Sequence, residues 1–483
     1  MASANSASGP QAARIAAHRF GLGEPSLSPI GNDAPGWLLA QIGPADPQRG
    51  EALASSAEGV KRYAEYLQMQ RQRTPAPEAS ASGANGGMAA LRSTEQQFGE
   101  HFRQIVQADL RAHLATAATT QRSFAERLAL FWANHFTVSM AKASARGSVG
   151  SFEREAVRPF IAGPFETLLK NAVKHGAMLR YLDNDQSAGP NSRVVLRRVR
   201  SDEERAPRIT GLNENLAREV LELHTLGAAS KAYSQADVTA FAAVLTGWRV
   251  PVRLLLSGEI KPGDPVARFE PAWHEPGPKQ VLGKSYPEGE GALDAVLTEL
   301  AHHPATAQFV ALKLARHFVA DEPPPELVAR LARTFGRSSG DLGSVYRDLL
   351  VSPEAWSPAP AKLKTPAEFV ISAARLLSLG ERAFARNADA GIAALGQRVQ
   401  SAPSPAGWPD RAEEWLGPDA VWKRVEWATR FADLLGRQHD ARALARAAFG
   451  AGLSDNTAQQ VDRAADGPQA LALLLLSPEF QRR

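Results

Sequence analysis

The stretch Asn213-Glu214-Asn215-Leu216-Ala217-Arg218-Glu219-Val220-Leu221-Glu222-Leu223-His224-Thr225-Leu226-Gly227 sets the architecture. It continues through Tyr233-Ser234-Gln235-Ala236-Asp237-Val238 to Leu245-Thr246-Gly247-Trp248. At roughly 100° per residue, Leu216, Val220 and Leu223 form the centre of an apolar face, widened by Ala217 and Leu221. His224 falls inside that face. Asn215, Arg218, Glu222 and Thr225 fall opposite, with Glu219 at the boundary. Asn213 is a good N-cap and Gly227 a good stop. Glu214, Arg218 and Glu222 recur every four residues with alternating sign, the pattern of a stabilised solvent face. The spacing predicts a helix pair over 213–227 and 234–247, with one face for packing and one for polar contacts.

Helical signals extend on both sides. Phe98, Phe102, Ile105, Val106 and Leu110 share a face after a capping box at Ser93 and Gln96. A second box, Ser123 with Glu126, opens a helix running to Asn134-His135-Phe136, and further helices fit 151–160, 164–174 and 176–182. Thr365-Pro366-Ala367-Glu368 joins a capping box to a first-turn proline, and Pro304 is placed likewise. Residues 1–12 read as a disordered N-terminus and 74–90, rich in Pro, Ala, Ser and Gly, as a linker. Between 188 and 210 helical periodicity fails, and Arg193, Arg197, Arg198, Arg200, Arg205 and Arg208 predict an exposed basic arm or hairpin. Val250, Val252, Leu254 and Leu256 alternate as a strand would, so 251–290 reads as a small β excursion. Leu349-Leu350-Val351-Ser352-Pro353-Glu354 is echoed by Leu474-Leu475-Leu476-Ser477-Pro478-Glu479. Either two related helical units or the helix-ending habit of Ser-Pro accounts for the echo. The expected fold is mainly α: two helical lobes, 13–250 and 291–483, around the central helix pair, with a β-hairpin excursion near 250–285.

Composition excludes several chemistries. The chain of 483 residues has no cysteine, which removes disulfides, thiolate nucleophiles and Cys-ligated metals. Its net charge of +4 is spread among mixed signs, so no nucleic-acid partner is expected. No apolar run approaches ~20 residues, so no membrane span is expected. The N-terminus reads as no secretory signal, which makes the cytoplasm the default compartment and export with a partner the alternative.

The acid–base candidates are His135, Glu219, Glu222 and His274. Around them Asn134, Asp183, Asn213, Asn215, Arg218, His224 and Lys279 are the candidate binding residues. Together they offer imidazoles, carboxylates and cations, enough for proton transfer or a divalent metal ion. No His-Glu-x-x-His, phosphate loop or Gly-x-Ser-x-Gly elbow occurs, and Asp183-x-Asp185-x-Ser187 lacks the closing Glu of a calcium loop. Any metal site would be assembled from distant segments.

These residues, with His18-Arg19-Phe20-Gly21-Leu22-Gly23, Phe131-Trp132-Ala133-Asn134-His135-Phe136, Met178-Leu179-Arg180-Tyr181-Leu182-Asp183-Asn184, Lys362-Leu363-Lys364-Thr365-Pro366 and Gly407-Trp408-Pro409, resemble the bacterial family called domain of unknown function 1800. The resemblance covers nearly the whole chain. It implies a second protein as partner, similar to sulfatases and alkaline phosphatases, and export. The chain departs from the family pattern at Glu275, where Asp is usual, and in the arginine-rich 188–208 stretch, which looks like an insertion. The leading expectation is a hydrolytic or metal-assisted enzyme with a polar His/Glu/Asp pocket. The alternative is a non-catalytic helical partner or export-assisting protein, its polar motif fixing helix packing.

Overall fold

The computed structural model describes residues 9–72, 84–201, 211–261 and 263–483. Among these the fold is mainly α, with 23 α-helical segments and two small two-stranded antiparallel sheets. The sheets pair Trp248–Arg249 with Arg268–Phe269 and Lys279–Val281 with Lys284–Tyr286. One buried apolar cluster runs from Ala12 to Phe480 and joins both halves of the chain. At its heart Phe20 packs on Phe124, Phe318 and Trp356 at ring separations of 5.5–5.9 Å. A smaller core gathers Val60, Val250, Leu255, Ile260 and Val266.

Several boundaries follow the signals in the sequence. Helix Pro366–Leu376 starts with the capping box of Thr365 and Glu368, and helix Pro304–Phe318 starts at its proline. Helix Gln235–Leu245 has its own box, Ser234 with Asp237. Gly227 ends the central helix at φ +83°, its N–H donating to the Leu221 carbonyl at 3.1 Å. A Cβ there would lie 2.7 Å from the Phe309 ring.

Others differ, for identifiable reasons. The box at Ser123 and Glu126 does not form: Ser123 is buried with its hydroxyl unpartnered, and the Glu126 carboxylate is taken by Arg158 at 2.6 Å. Helix Ala84–Thr119 passes through Ser93 rather than starting there, so 84–90 is helix, not linker; residues 73–83 lie outside the described residues. The first helix opens at Pro10, inside the expected disordered end, because proline at its first turn needs no N–H partner; residues 1–8 are outside the description. The basic arm is helical over Arg193–Ser201, with Val199 75 % exposed, and 202–210 lies outside the described residues. The alternating Val250 to Leu256 run is not a strand: after Pro251 the chain turns into helix Val252–Leu256.

The central helix holds the most instructive difference. It is α-helical over Asn215–Glu219 and π-helical over Val220–His224. A π turn carries more residues than the 3.6 assumed on the wheel, so positions beyond it rotate. Leu216, Ala217, Val220, Leu221 and His224 are fully buried as the wheel expects. Leu223 is only half-buried, while Thr225, expected on the polar face, is buried and donates to the Val220 carbonyl at 2.7 Å.

Candidate functional site

Helix Ser123–His135 and helix Pro304–Phe318 meet the loop 397–411 around a cavity of about 380 Å³. Its walls include Leu130, Phe131, Phe152 and Ile371, and its polar groups come from six segments distant in sequence. Most of the charge on this wall is already paired. Glu153 meets His113 at 2.8 Å and Arg158 at 3.1 Å. Burial opposes the Glu153 charge, but these two cations overcome it and hold the carboxyl at about 2. Burial likewise opposes the His113 charge, and Glu153 outweighs it, so that imidazole stays above its ordinary range. Glu368 is bound by Arg127 and lies 3.1 Å from Arg483, which keeps it well below the usual carboxylate range despite burial.

Asp410 accepts from Nδ1 of His317 at 2.8 Å, and Lys362 stands 3.3 Å from its other oxygen. Against the cost of burial, His317, Lys362 and Arg483 bring Asp410 down to about 2. Burial dominates at His317 and lowers its pKa, so the ring is held neutral, with Nδ1 keeping its proton and donating it to the Asp410 carboxylate. Its Nε2 is buried and has no hydrogen-bond partner.

Lys313 differs from every other cation here. Among the described residues its amine has neither a hydrogen bond nor an ion pair; its contact is the Phe309 ring, 5.7 Å away. Burial lowers its pKa to about 8, against the pull of Asp410 and with the push of Arg316. The Lys313 charge in turn contributes, after burial, to keeping His135 and His224 neutral. His135 is 2 % exposed, donates from Nε2 to the His224 carbonyl at 3.1 Å, and has no partner at Nδ1. His224 lies 6.1 Å away ring to ring, fully buried, and neither of its nitrogens is partnered.

Asn134 fixes the loop to the helix. Its amide donates to the Trp408 carbonyl at 2.9 Å and accepts from the Trp408 N–H at 2.8 Å. Gly407 permits this approach: its φ is +84°, and a Cβ there would lie 2.5 Å from the Asn134 carbonyl oxygen.

The structure thus brings Asn134, His135 and His224 to the cavity or its immediate backing, and places the other expected residues elsewhere. His274 is saturated: Nδ1 donates to the Thr246 carbonyl at 2.7 Å, and Nε2 accepts from Lys279 at 3.0 Å and the Gly289 N–H at 3.3 Å. Burial lowers the pKa of both His274 and Lys279. Lys279 also donates to the Glu275 carbonyl, closing the turn. Glu275, the longer acid, reaches the N–H of Asn191 at 2.9 Å and its amide at 2.6 Å, beside the arginine-rich segment. Asp183 accepts from Lys142 at 2.6 Å. Arg218 lies 3.2 Å from Glu214 and 3.4 Å from Glu222, the ladder its spacing suggests, and also donates to Gln235 at 2.8 Å. Asn213 accepts from the Asn215 N–H at 2.9 Å, while Asn215 itself is exposed. Glu219 is half-buried, and burial with the nearby Glu222 raises its pKa. Lys313, His317 and Asp410 were not singled out in the sequence. The available signal was His317 falling beside Val310 on the apolar arc that Val310 and Leu314 define, with Lys313 at its edge.

A metal is a poor fit to this donor set. Among the described residues no three His, Asp or Glu side chains gather as ligands, and the cavity acids Glu153, Glu368 and Asp410 are bound by cations. No helix among the described residues is long and apolar enough to cross a membrane.

The fold makes this a mainly α-helical protein with a polar cavity walled by its helices. A family model described as "Protein of unknown function (DUF1800)" matches residues 15–482, and the chain belongs to that family. No curated protein and no solved structure matches it.

Proposed function

We propose that the chain is an enzyme performing acid–base chemistry, hydrolysis first among the candidates, on a small organic molecule in the cavity beside Asn134 and His135. The observation that carries this reading is the Asp410–His317 pair on a cavity wall that also holds the unpaired amine of Lys313. A carboxylate on Nδ1 fixes the imidazole tautomer and leaves Nε2 as a proton acceptor. In hydrolysis His317 Nε2 takes a proton from water, and the water oxygen bonds to the acyl carbon or phosphorus. The bond to the leaving group breaks, and the Lys313 ammonium returns a proton to that group. The volume of about 380 Å³ is within the range of small-molecule sites.

The test is turnover of chromogenic carboxylic and phosphoric esters by wild type, His317→Gln and Asp410→Asn. Loss of about a hundredfold in kcat in both, with unfolding midpoints recorded, is the expected result. Turnover unchanged in His317→Gln sinks the reading.

A second reading keeps the chain non-catalytic, as a helical partner of a sulfatase- or phosphatase-like protein. It draws on the central stretch, where Glu214, Arg218, Gln235 and Thr239 are joined in a surface hydrogen-bond network between its two helices. Co-purification from the native host distinguishes it, since an obligate partner survives gel filtration with the chain.

A further inference from the structure

Charge on the cavity wall is unevenly committed. Each of three acids on this wall is held by cations: Glu153 by His113 and Arg158, Glu368 by Arg127 and Arg483, and Asp410 by Lys362 and Arg483, with the neutral His317 also donating to it. Three further cations line the same cavity without a strong acid partner. Lys313 has none. Arg316 donates only its Nε, to the Asp321 carbonyl at 3.1 Å, which leaves both terminal nitrogens unbound among the described residues. Arg411 has a single exposed contact with Glu413 at 3.4 Å. Their fields overlap, since Arg316 acts on Lys313 and Arg411 acts on Arg316. The uncommitted acid on this wall is Glu414, exposed at the surface. Asp410 pulls on Lys313 and Arg316, and Asp321 and Glu322 pull on Arg316, but none of these acids forms an ion pair with Lys313, Arg316 or Arg411, and Asp410 and Asp321 are already held by Lys362.

Placing unpaired cations against an apolar wall costs free energy, and a ligand that supplies the missing charge recovers it. His135 also lines the cavity, 2 % exposed, with Nε2 donating to the His224 carbonyl; its neutral ring leaves Nδ1 as an unpartnered acceptor, suited to a donor group on the body of a ligand rather than to its anionic end. The wall also carries a run of apolar side chains, with Leu130, Phe131, Val138, Phe152 and Val399 among them. That combination suits a ligand with a carbon body and one anionic end rather than a bare ion.

We infer that the molecule handled in this cavity is a small organic anion, bearing a carboxylate or a phosphate, whose charged end rests on Lys313 with Arg316 and Arg411. The inference rests on the cavity being the ligand site, as proposed above, and adds the class of ligand. Lys313 is the inner contact, and the two arginines complete the cradle toward the opening. The groups facing Lys313 are Asp410, Arg316, His135 and His224, and the two imidazoles stay neutral across the working range. Anion affinity therefore follows the protonation of Lys313: full below pH about 8 and falling above it, because the amine loses its charge there.

Titration calorimetry on the full chain at matched ionic strength tests this with benzoate, phenyl phosphate and neutral benzamide. Either anion is expected to bind at least about tenfold more tightly than benzamide, and their ranking separates carboxylate from phosphate. Lys313→Met is expected to weaken the anion by about tenfold or more while leaving benzamide unchanged. Lys313→Arg is expected to keep the affinity and lose its decline above pH about 8. Arg316→Met gives an independent loss if Lys313→Met fails to fold. Equal binding of benzamide and both anions overturns the inference, as does anion affinity unchanged in folded Lys313→Met. Ester turnover that continues with such results preserves the proposed function and removes only the anionic ligand. Anion binding without turnover does the reverse.

Discussion

Replacing Lys364 with methionine is expected to stabilise the protein at neutral pH. Lys364 is fully buried, its amine has no hydrogen-bond partner, and its contact is the Phe480 ring 4.2 Å away. Burial first, then the charge of Arg127, Arg483 and Arg424 against the pull of Glu368, lowers its pKa from 10.5 to about 7. Glu368 gives little relief because Arg127 and Arg483 already occupy it. The unfolded chain keeps the Lys364 proton up to its ordinary pKa, whereas the folded chain releases it near 7. Between those values the unfolded state binds more protons, so wild-type stability rises with pH. A pKa difference of about 3.5, at about 1.36 kcal/mol each, puts the cost of folding this lysine at about 4–5 kcal/mol near pH 6.5. The same relation leaves less than about 1 kcal/mol near pH 10. Methionine keeps the chain volume, and the lost cation–ring contact and imperfect packing subtract about 1–2 kcal/mol. Lys364→Met should therefore gain about 2–4 kcal/mol near pH 6.5 and lose about 0–1 kcal/mol near pH 10. Guanidinium unfolding at both pH values, followed by far-UV circular dichroism and tryptophan fluorescence, measures the difference. A variant that is destabilised at both, or whose difference from wild type does not change with pH, refutes the reasoning.

Three further outcomes rest on buried contacts. Tyr346→Phe removes an oxygen that accepts from Trp132 Nε1 at 2.6 Å and donates to the Ile161 carbonyl at 2.6 Å, and should cost about 2–4 kcal/mol in urea unfolding. A loss below about 0.5 kcal/mol would show those bonds to be immaterial. Gly407→Ala should cost about 1–3 kcal/mol and loosen the Asn134–Trp408 clamp, read as higher KM if the cavity turns over a substrate. Glu153→Gln should flatten the acid limb of stability. Glu153 is depressed from 4.5 to about 2, so its contribution is present above pH 4.5 and lost as pH falls through about 2. Acid unfolding monitored by fluorescence checks this, and an unchanged profile counts against a charged Glu153.

Some of the fold was legible because single residues enforce local geometry. Pro304, Pro366, Thr365 and Gly227 act through fixed dihedrals and nearby N–H groups, and each marks the boundary it was expected to mark. Ser123 failed as a cap because its partner acid was claimed from outside: Arg158 offers Glu126 two charged donors where a cap offers one neutral N–H. Likewise the alternation from Val250 to Leu256 describes a strand only if the backbone is extended throughout. Pro251 ends that condition, and Leu255, an off-beat position, becomes the buried residue of the short helix. Local signals hold until a distant side chain or a proline outbids them.

The site was harder to read for a related reason: its polar groups enter through irregular helix and through the field of distant residues. Among the described residues, π turns occupy Ala16–Phe20, Glu153–Val157 and Val220–His224, and each brings polar residues inside: His18 and Arg19, Glu153, and His224. A wider turn offers a buried position that regular periodicity assigns to another residue, so a wheel drawn at constant angle misplaces the residues beyond that turn. Within the turn itself His224 is buried as the wheel predicts while its neighbour Leu223 is only half-buried. Lys313 and His317 lie on a regular helix and were visible as basic residues on an apolar arc, but nothing local separates an unpaired lysine from one that reaches solvent. What separates them is that Asp410, about a hundred residues later, is bound by His317 and Lys362 and leaves the Lys313 amine without an ion pair. The candidate chemistry is therefore a property of which acid each cation has secured, and that accounting exists only once the chain is folded.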